Sequence, residues 1–188
     1  MTRARPPAVG VGVDPVPRLH SPVAIECHIY PQRSEDFFAR PDLDTLFTAG
    51  PPDLVFIDGL HTFPAVLGDL AGAEAISRAD TIIVLHDTIP LDEPTQRPDQ
   101  QHAFYTGDVW KLLPCLAEVR PDLQVFTVLA PPSGLTFIAG LDPTSTVLTD
   151  RHDELVERFG SLPFDPDAVL YGELVPNDWP TVRARLGG

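Results

Sequence analysis

Asp53-Leu-Val-Phe-Ile-Asp-Gly-Leu-His61 and Thr81-Ile-Ile-Val-Leu-His-Asp-Thr88 are two short apolar runs, and each stops at a carboxylate. A run that is apolar at every position, such as Leu54-Val-Phe-Ile57, predicts a strand covered on both faces, as in a parallel sheet. In an open α/β sheet, ligands collect at the carboxyl ends of the strands, where the chain leaves for the next helix. Asp58 and Asp87 are therefore expected at that edge, on neighbouring strands, each followed by a polar loop.

The 188 residues suffice for one domain with a real core, and 43% hydrophobic content argues against disorder. The 22 prolines predict long, stiff loops. Lys plus Arg number 13 against 27 Asp plus Glu, so 13 − 27 gives a net charge of −14. That field repels phosphate backbones and anionic lipid, which argues against nucleic acid or a membrane as partner. Cys27 and Cys115 lie within apolar segments without metal or redox spacing, and read as buried thiols of a cytoplasmic protein. No run approaches the length of a membrane span, and no apolar signal core follows the basic N-terminus.

Working outward, Ala8 to Asp14 reads as a strand. Gly10 and Gly12 lie inside it and prolines follow, so they do not form a phosphate loop, which needs a strand before the glycines and a helix after. Val23 to Tyr30 predicts a second strand. Asp36 to Leu46 has helical spacing interrupted by Pro41, and Gly50-Pro-Pro52 breaks the chain before Leu54. Thr62 to Ile76 predicts a helix with Thr62 at the N-cap and Pro64 in the first turn. Pro90 to Tyr105 is a proline-rich loop long enough to act as a lid. Val109 to Val119 returns to helical spacing, with Trp110, Leu113, Leu116 and Ala117 inward and a kink at Pro114. Leu123 to Leu129 and Gly134 to Leu141 predict a hairpin, an antiparallel pair at one edge of the sheet. A charged helix over Asp150 to Phe159 and proline-broken irregular chain complete the sequence. Residues 1–141 form the expected α/β domain, and 142–188 an extension packed on it or trailing from it.

Strands alternating with helices indicate a parallel α/β sheet. Val11-Gly-Val-Asp14, Ser34-Glu-Asp36, Phe56-Ile-Asp-Gly-Leu-His61, His86-Asp-Thr-Ile-Pro90 and Gly107-Asp-Val-Trp110, in this order, resemble class I S-adenosylmethionine-dependent methyltransferases. The nearest subgroup is the one related to catechol O-methyltransferase-like enzymes and to sugar and antibiotic O-methyltransferases. The resemblance implies a Rossmann-like methyltransferase sheet, mostly parallel, ending in an antiparallel hairpin. It makes Ala8 to Asp14 the family's second strand, so the first strand and its glycine-rich cofactor turn are expected to be missing. Such a chain is expected to expose strand edges and to associate into a homo-oligomer through them.

For S-adenosylmethionine, the resemblance assigns Asp14 to the ribose hydroxyls, Ser34, Glu35 and Asp36 to the adenine, and Asp58 to the cofactor pocket. Two carboxylates on adjacent strand ends also suit Mg²⁺ or another divalent cation, held by Asp58 and Asp87 with Thr88 as a weak third ligand. His86 could stand in for Thr88, although strand alternation points it the other way. His61 is the candidate general base, acting with Asp87 in catalysis. Plainer readings stand beside these. Asp14 can start an Asp-Pro turn, Ser34 can cap a helix, Asp58 and Asp87 can cap helices, and His61 can be structural. The function expected is O-methylation of a small hydroxylated acceptor. The alternative is a non-catalytic methyltransferase-like binding or assembly protein. A metal-dependent hydrolase would need more ligands than the sequence assembles.

Overall fold

A computed structural model describes residues 9–18, 25–47, 50–99, 103–166 and 172–187. His20, His102 and the first residues of the expected strand at 23–30 lie outside these. The chain divides into two compact units, Met1–Gly50 and Pro51–Gly188.

In the first unit, β1 (Val9–Val13) and β2 (Glu26–Tyr30) pair in parallel, with Val9 opposite Glu26 and Val13 opposite Tyr30. A Cβ on Gly12 would come within 2.9 Å of the Ile29 side chain, so the glycine makes room for its neighbour strand. One helix interrupted by Pro41 becomes two short ones, α1 (Ser34–Phe38) and α2 (Leu43–Leu46). Proline disfavours helical backbone in the residue before it, which separates them. Phe37 is buried, its ring 5.2 Å from that of Tyr30.

The second unit holds a five-stranded sheet of β3 (Leu54–Ile57), β4 (Ile82–His86), β5 (Gln124–Val128), β6 (Leu135–Ala139) and β7 (Glu173–Val175). Its order is β3-β4-β6-β5-β7, with β3 parallel to β4, β5 parallel to β7, and β6 antiparallel to both its neighbours. The α/β class and the hairpin match the sequence reading, with two departures. The hairpin is interior, because β7 adds to β5 as the edge strand. Three residues led by a glutamate are too short to carry a periodic signal, so the sequence reads as irregular there.

The other departure is β3 itself, which pairs with β4 alone among the described residues. Ile57 is buried, but Leu54 and Phe56 are 60% and 55% exposed, so the strand is not covered on both faces. The helix α3 (Phe63–Ala75) supplies Val66 to the same cleft as Ile57. On the opposite face α7 (Trp179–Arg185) covers the far end, with Val182 and Leu186 against Phe126, Val128 and Val175.

A 3₁₀ turn (Val109–Lys111) leads into α4 (Leu112–Val119). Pro114 falls in the first turn of α4, where a missing N–H costs little, so the expected kink is replaced by the change of helix type at Lys111. Ala117 is exposed, and Leu112 and Cys115 take inward places beside Leu113 and Leu116. The charged helix is split into α5 (Val147–Asp150) and α6 (His152–Gly160). Between α3 and α4, Glu74 and Arg120 form a buried bidentate pair at 2.6 and 2.9 Å, and Glu74 also accepts the Asp142 N–H at 3.1 Å. Among the described residues no helix is long and apolar enough to cross a membrane.

Burial pushes the Cys115 thiol up to about 12. The reactive species is the thiolate. Iodoacetamide at pH about 8 is therefore expected to leave Cys115 unmodified in the folded protein and to modify it once urea unfolds the chain. Peptide mass mapping would show this. Alkylation at equal rates in both states would contradict the packing of α4.

Candidate functional site

The register of β3 and β4 places Ile57 opposite Leu85, so Asp58 and His86 follow as the next neighbours at the strand ends. Asp87 then leaves β4 with φ 58°, a left-handed backbone that is uncommon outside glycine but several-fold enriched in aspartate. This turn breaks the alternation of the strand. His86 therefore does not point away from Asp87, as strict alternation predicts. Its Nδ1 lies 3.2 Å from Asp87 Oδ1 and 3.4 Å from Asp58 Oδ1.

His61 approaches the two carboxylates as well. Its Nε2 is 3.2 Å from Asp58 Oδ1, and its Nδ1 is 3.2 Å from Asp87 Oδ2 and 3.4 Å from the Tyr105 carbonyl. Four groups thus contact one another in sequence, Asp58, His61, Asp87 and His86, with imidazoles and carboxylates alternating. Asp58, His61 and Asp87 each offer one ligand atom, and these atoms all lie within 4.8 Å of one another. The Asp87 side chain is 5% exposed and that of Asp58 40%, so the site has a buried end and an open one. Ile57, Leu60, Val66 and Val109 line the cleft beside Asp58, His61 and His86.

The hydrogen bond from His61 holds the Asp58 carboxyl below its usual range, against the opposing effect of burial. The same bond raises the His61 imidazole above its usual value, with the Asp87 and Asp58 charges and the Tyr105 carbonyl adding to it. Burial works against this rise too. His61 is therefore a ring that holds its proton more firmly than a free histidine.

The segment around Gly107 fixes where His61 sits. Gly107 has φ 60°, and a Cβ there would lie 1.7 Å from the His61 carbonyl oxygen. The next residue, Asp108, accepts the N–H of Phe63 at 2.7 Å through Oδ1, which caps α3 from 45 residues away. Thr62 occupies the N-cap position as the sequence predicts, but its side chain makes no cap hydrogen bond. The other oxygen of Asp108 is 3.0 Å from Lys111 Nζ, which also donates to the Gly160 carbonyl. Upstream, Thr106 and Gly107 both donate backbone N–H groups to the Thr95 carbonyl, and the Trp110 indole N–H reaches Gln96. The described part of the loop expected to be a lid is thus tied down at Thr95 and Gln96.

Thr88, expected as a third metal ligand, is fully buried, and its hydroxyl accepts from Thr136, which in turn meets Thr127 at 2.6 Å. Asp14, Ser34, Glu35 and Asp36 lie in the first unit. Asp14 is exposed, with Oδ1 accepting the Val16 N–H at 2.6 Å in an Asp-Pro turn. Ser34, Glu35 and Asp36 open α1, whose N-cap position is Arg33 without a side-chain cap.

Residues 18–88 match the family model described as Methyltransferase domain. The matched stretch ends at Thr88 and takes in Asp58, His61, His86 and Asp87. This supports methyl transfer as the general activity. No curated protein matches the chain.

The adjacency of Asp58 and Asp87 was legible in the sequence, as was His61 beside them. The approach of His86, the Tyr105 carbonyl and the Asp108 cap were not. Gly107-Asp-Val-Trp110 stood out by resemblance without a role. Its spacing to Phe63 carries no local signal.

Proposed function

We propose that the protein transfers the methyl group of S-adenosylmethionine to a hydroxyl of a small acceptor at the ends of β3 and β4. A divalent cation such as Mg²⁺ assists there. The observation that carries the reading is the convergence of Asp58, His61 and Asp87 within the segment that matches a methyltransferase domain. The residues fit a cation, because Asp87 Oδ1 is buried without a hydrogen-bond partner beside a second carboxylate. Asp58 and Asp87 would hold it, and it would lower the pKa of the acceptor hydroxyl.

His61 serves as the proton acceptor. In its neutral form the ring keeps its proton on Nδ1, directed at the Asp87 carboxylate and the Tyr105 carbonyl, while Nε2, at the open end beside Asp58, receives the hydroxyl proton and the two carboxylates stabilise the imidazolium that results. The acceptor oxygen bonds the methyl carbon as the carbon–sulfur bond breaks, and its electrons stay on sulfur. The apolar wall of Ile57, Leu60, Val66 and Val109 favours an acceptor with an apolar face next to its hydroxyl. The acidic surface supports an acceptor that is neither nucleic acid nor lipid.

The test is release of S-adenosylhomocysteine with a panel of small hydroxylated acceptors, alongside calorimetry of S-adenosylmethionine binding. Turnover should stop on chelation and in Asp87→Ala, while cofactor binding in Asp87→Ala is retained. His61→Ala should lower the rate by roughly 10²–10⁴-fold. Turnover that survives both chelation and Asp87→Ala would remove the cation from the reading. Absence of cofactor binding would favour a non-catalytic methyltransferase-like protein instead.

A further inference from the structure

We infer that His86 is a ligand of the divalent cation proposed above, and that its nitrogen makes the site prefer a first-row transition-metal ion such as Co²⁺ or Zn²⁺ over Mg²⁺. The inference rests on the cation reading of the site and goes beyond it in the identity of the ion and of the third ligand. Two buried atoms carry it, His86 Nδ1 and Asp87 Oδ1, and neither has a hydrogen-bond partner. They face each other at 3.2 Å, near enough for a hydrogen bond but not aligned for one. A hydrogen bond demands alignment along the donor bond. A cation drawing both atoms to itself does not require them to point at each other.

His61 is differently placed. Its two nitrogens already meet Asp58, Asp87 and the Tyr105 carbonyl, so it is satisfied without an ion. His86 stands on the other side of the two carboxylates, 3.4 Å from Asp58, with one ring nitrogen left over for a metal. Phe56 packs near its ring, at 6.2 Å between centroids, and fills the space along β3 beside it. The resulting donor set is two carboxylates and one imidazole.

Donor chemistry decides the ion. Mg²⁺ takes oxygen ligands and keeps much of its water, so a nitrogen in its shell is a loss. Imidazole suits first-row transition ions such as Fe²⁺, Ni²⁺ and Zn²⁺, whose affinities for such sites rise from Mn²⁺ to Cu²⁺ and fall again at Zn²⁺. His86 is also held from the backbone side. It is the last residue of β4 and lies opposite Leu135 of β6, so its Cα is fixed by the ladder at the end of the strand.

The test is binding, independent of turnover. The intact metal-free protein is titrated with Co²⁺, Zn²⁺ and Mg²⁺ by calorimetry, and the visible spectrum of the Co²⁺ form is recorded. Co²⁺ and Zn²⁺ are expected to bind at least about 100-fold more tightly than Mg²⁺, by the ligand preferences of imidazole. His86→Ala should weaken Co²⁺ roughly tenfold or more and change its spectrum. His86→Asp, which returns an oxygen to the same place, should narrow or reverse the preference. Circular dichroism would confirm that both variants fold. Equal or tighter Mg²⁺ binding, a Co²⁺ spectrum unchanged in His86→Ala, or no metal binding at all would each overturn the inference. Methyl transfer measured separately can succeed or fail without altering that outcome.

Discussion

Gly107→Ala is expected to cost the fold about 2–5 kcal/mol, the sum of left-handed strain in a residue with a Cβ and of overpacking. Gly107 holds φ 60°, and the added carbon would fall 1.7 Å from the His61 carbonyl oxygen, far inside contact distance. Neither partner can yield easily. His61 is joined to α3 by Thr62 and the capped Phe63, and Asp108 does the capping one residue past the glycine. Relief therefore has to move His61 away from Asp58, or Asp108 away from Phe63. Urea unfolding of the variant should show a lower midpoint with little change in slope. A midpoint equal to that of the parent would mean that the two segments do not touch.

The second large effect is expected at Arg120. Its side chain and that of Glu74 are each 3% exposed, and the pair is bidentate. Breaking a buried pair by removing one partner costs about 3–5 kcal/mol, because the remaining charge is left in the interior. Arg120→Ala leaves Glu74 in that position, with the Asp142 N–H at 3.1 Å as a remaining contact. The paired change Glu74→Leu with Arg120→Met should recover most of the loss, since apolar side chains of similar size can replace a buried pair. Recovery by the pair and not by either single change separates lost charge pairing from lost volume. Arg120 also holds the Asp122 carboxyl below its usual range, chiefly through their hydrogen bond. A depressed carboxyl contributes stability above its unfolded value and loses it as pH falls through the folded one. The acid-side decline in stability should therefore be shallower in Arg120→Ala.

These two sites mark the boundary of what the sequence shows. The strands ending at Asp58 and Asp87 were readable because an apolar run stopped by a carboxylate is a local pattern. Their adjacency followed from the rule that sequential strands neighbour each other in parallel α/β sheets. The hairpin was readable from two apolar runs around Ala-Pro-Pro-Ser. His86 was misdirected because alternation holds within a strand, and at Asp87 the backbone leaves the strand region altogether. The exposure of Leu54 and Phe56 was missed because an apolar run does not say whether a layer covers both faces of its strand. Nothing in the sequence marks Glu74 and Arg120 as partners, because their pairing is a contact 46 residues apart.

The left-handed backbone at Asp87 separates thermal endurance from chemistry at a single position. Glycine would hold φ 58° without steric strain, but it would remove a buried carboxylate that stands 3.2 Å from both His61 and His86. The relief of the backbone and the loss of those contacts oppose each other, so the fold would be expected to tolerate the exchange. A selection for heat resistance alone would thus do little to keep the residue on which the proposed cation depends. Variants recovered from such a selection would be free to keep their sheet and lose their site, and stability would be a misleading proxy for a working protein.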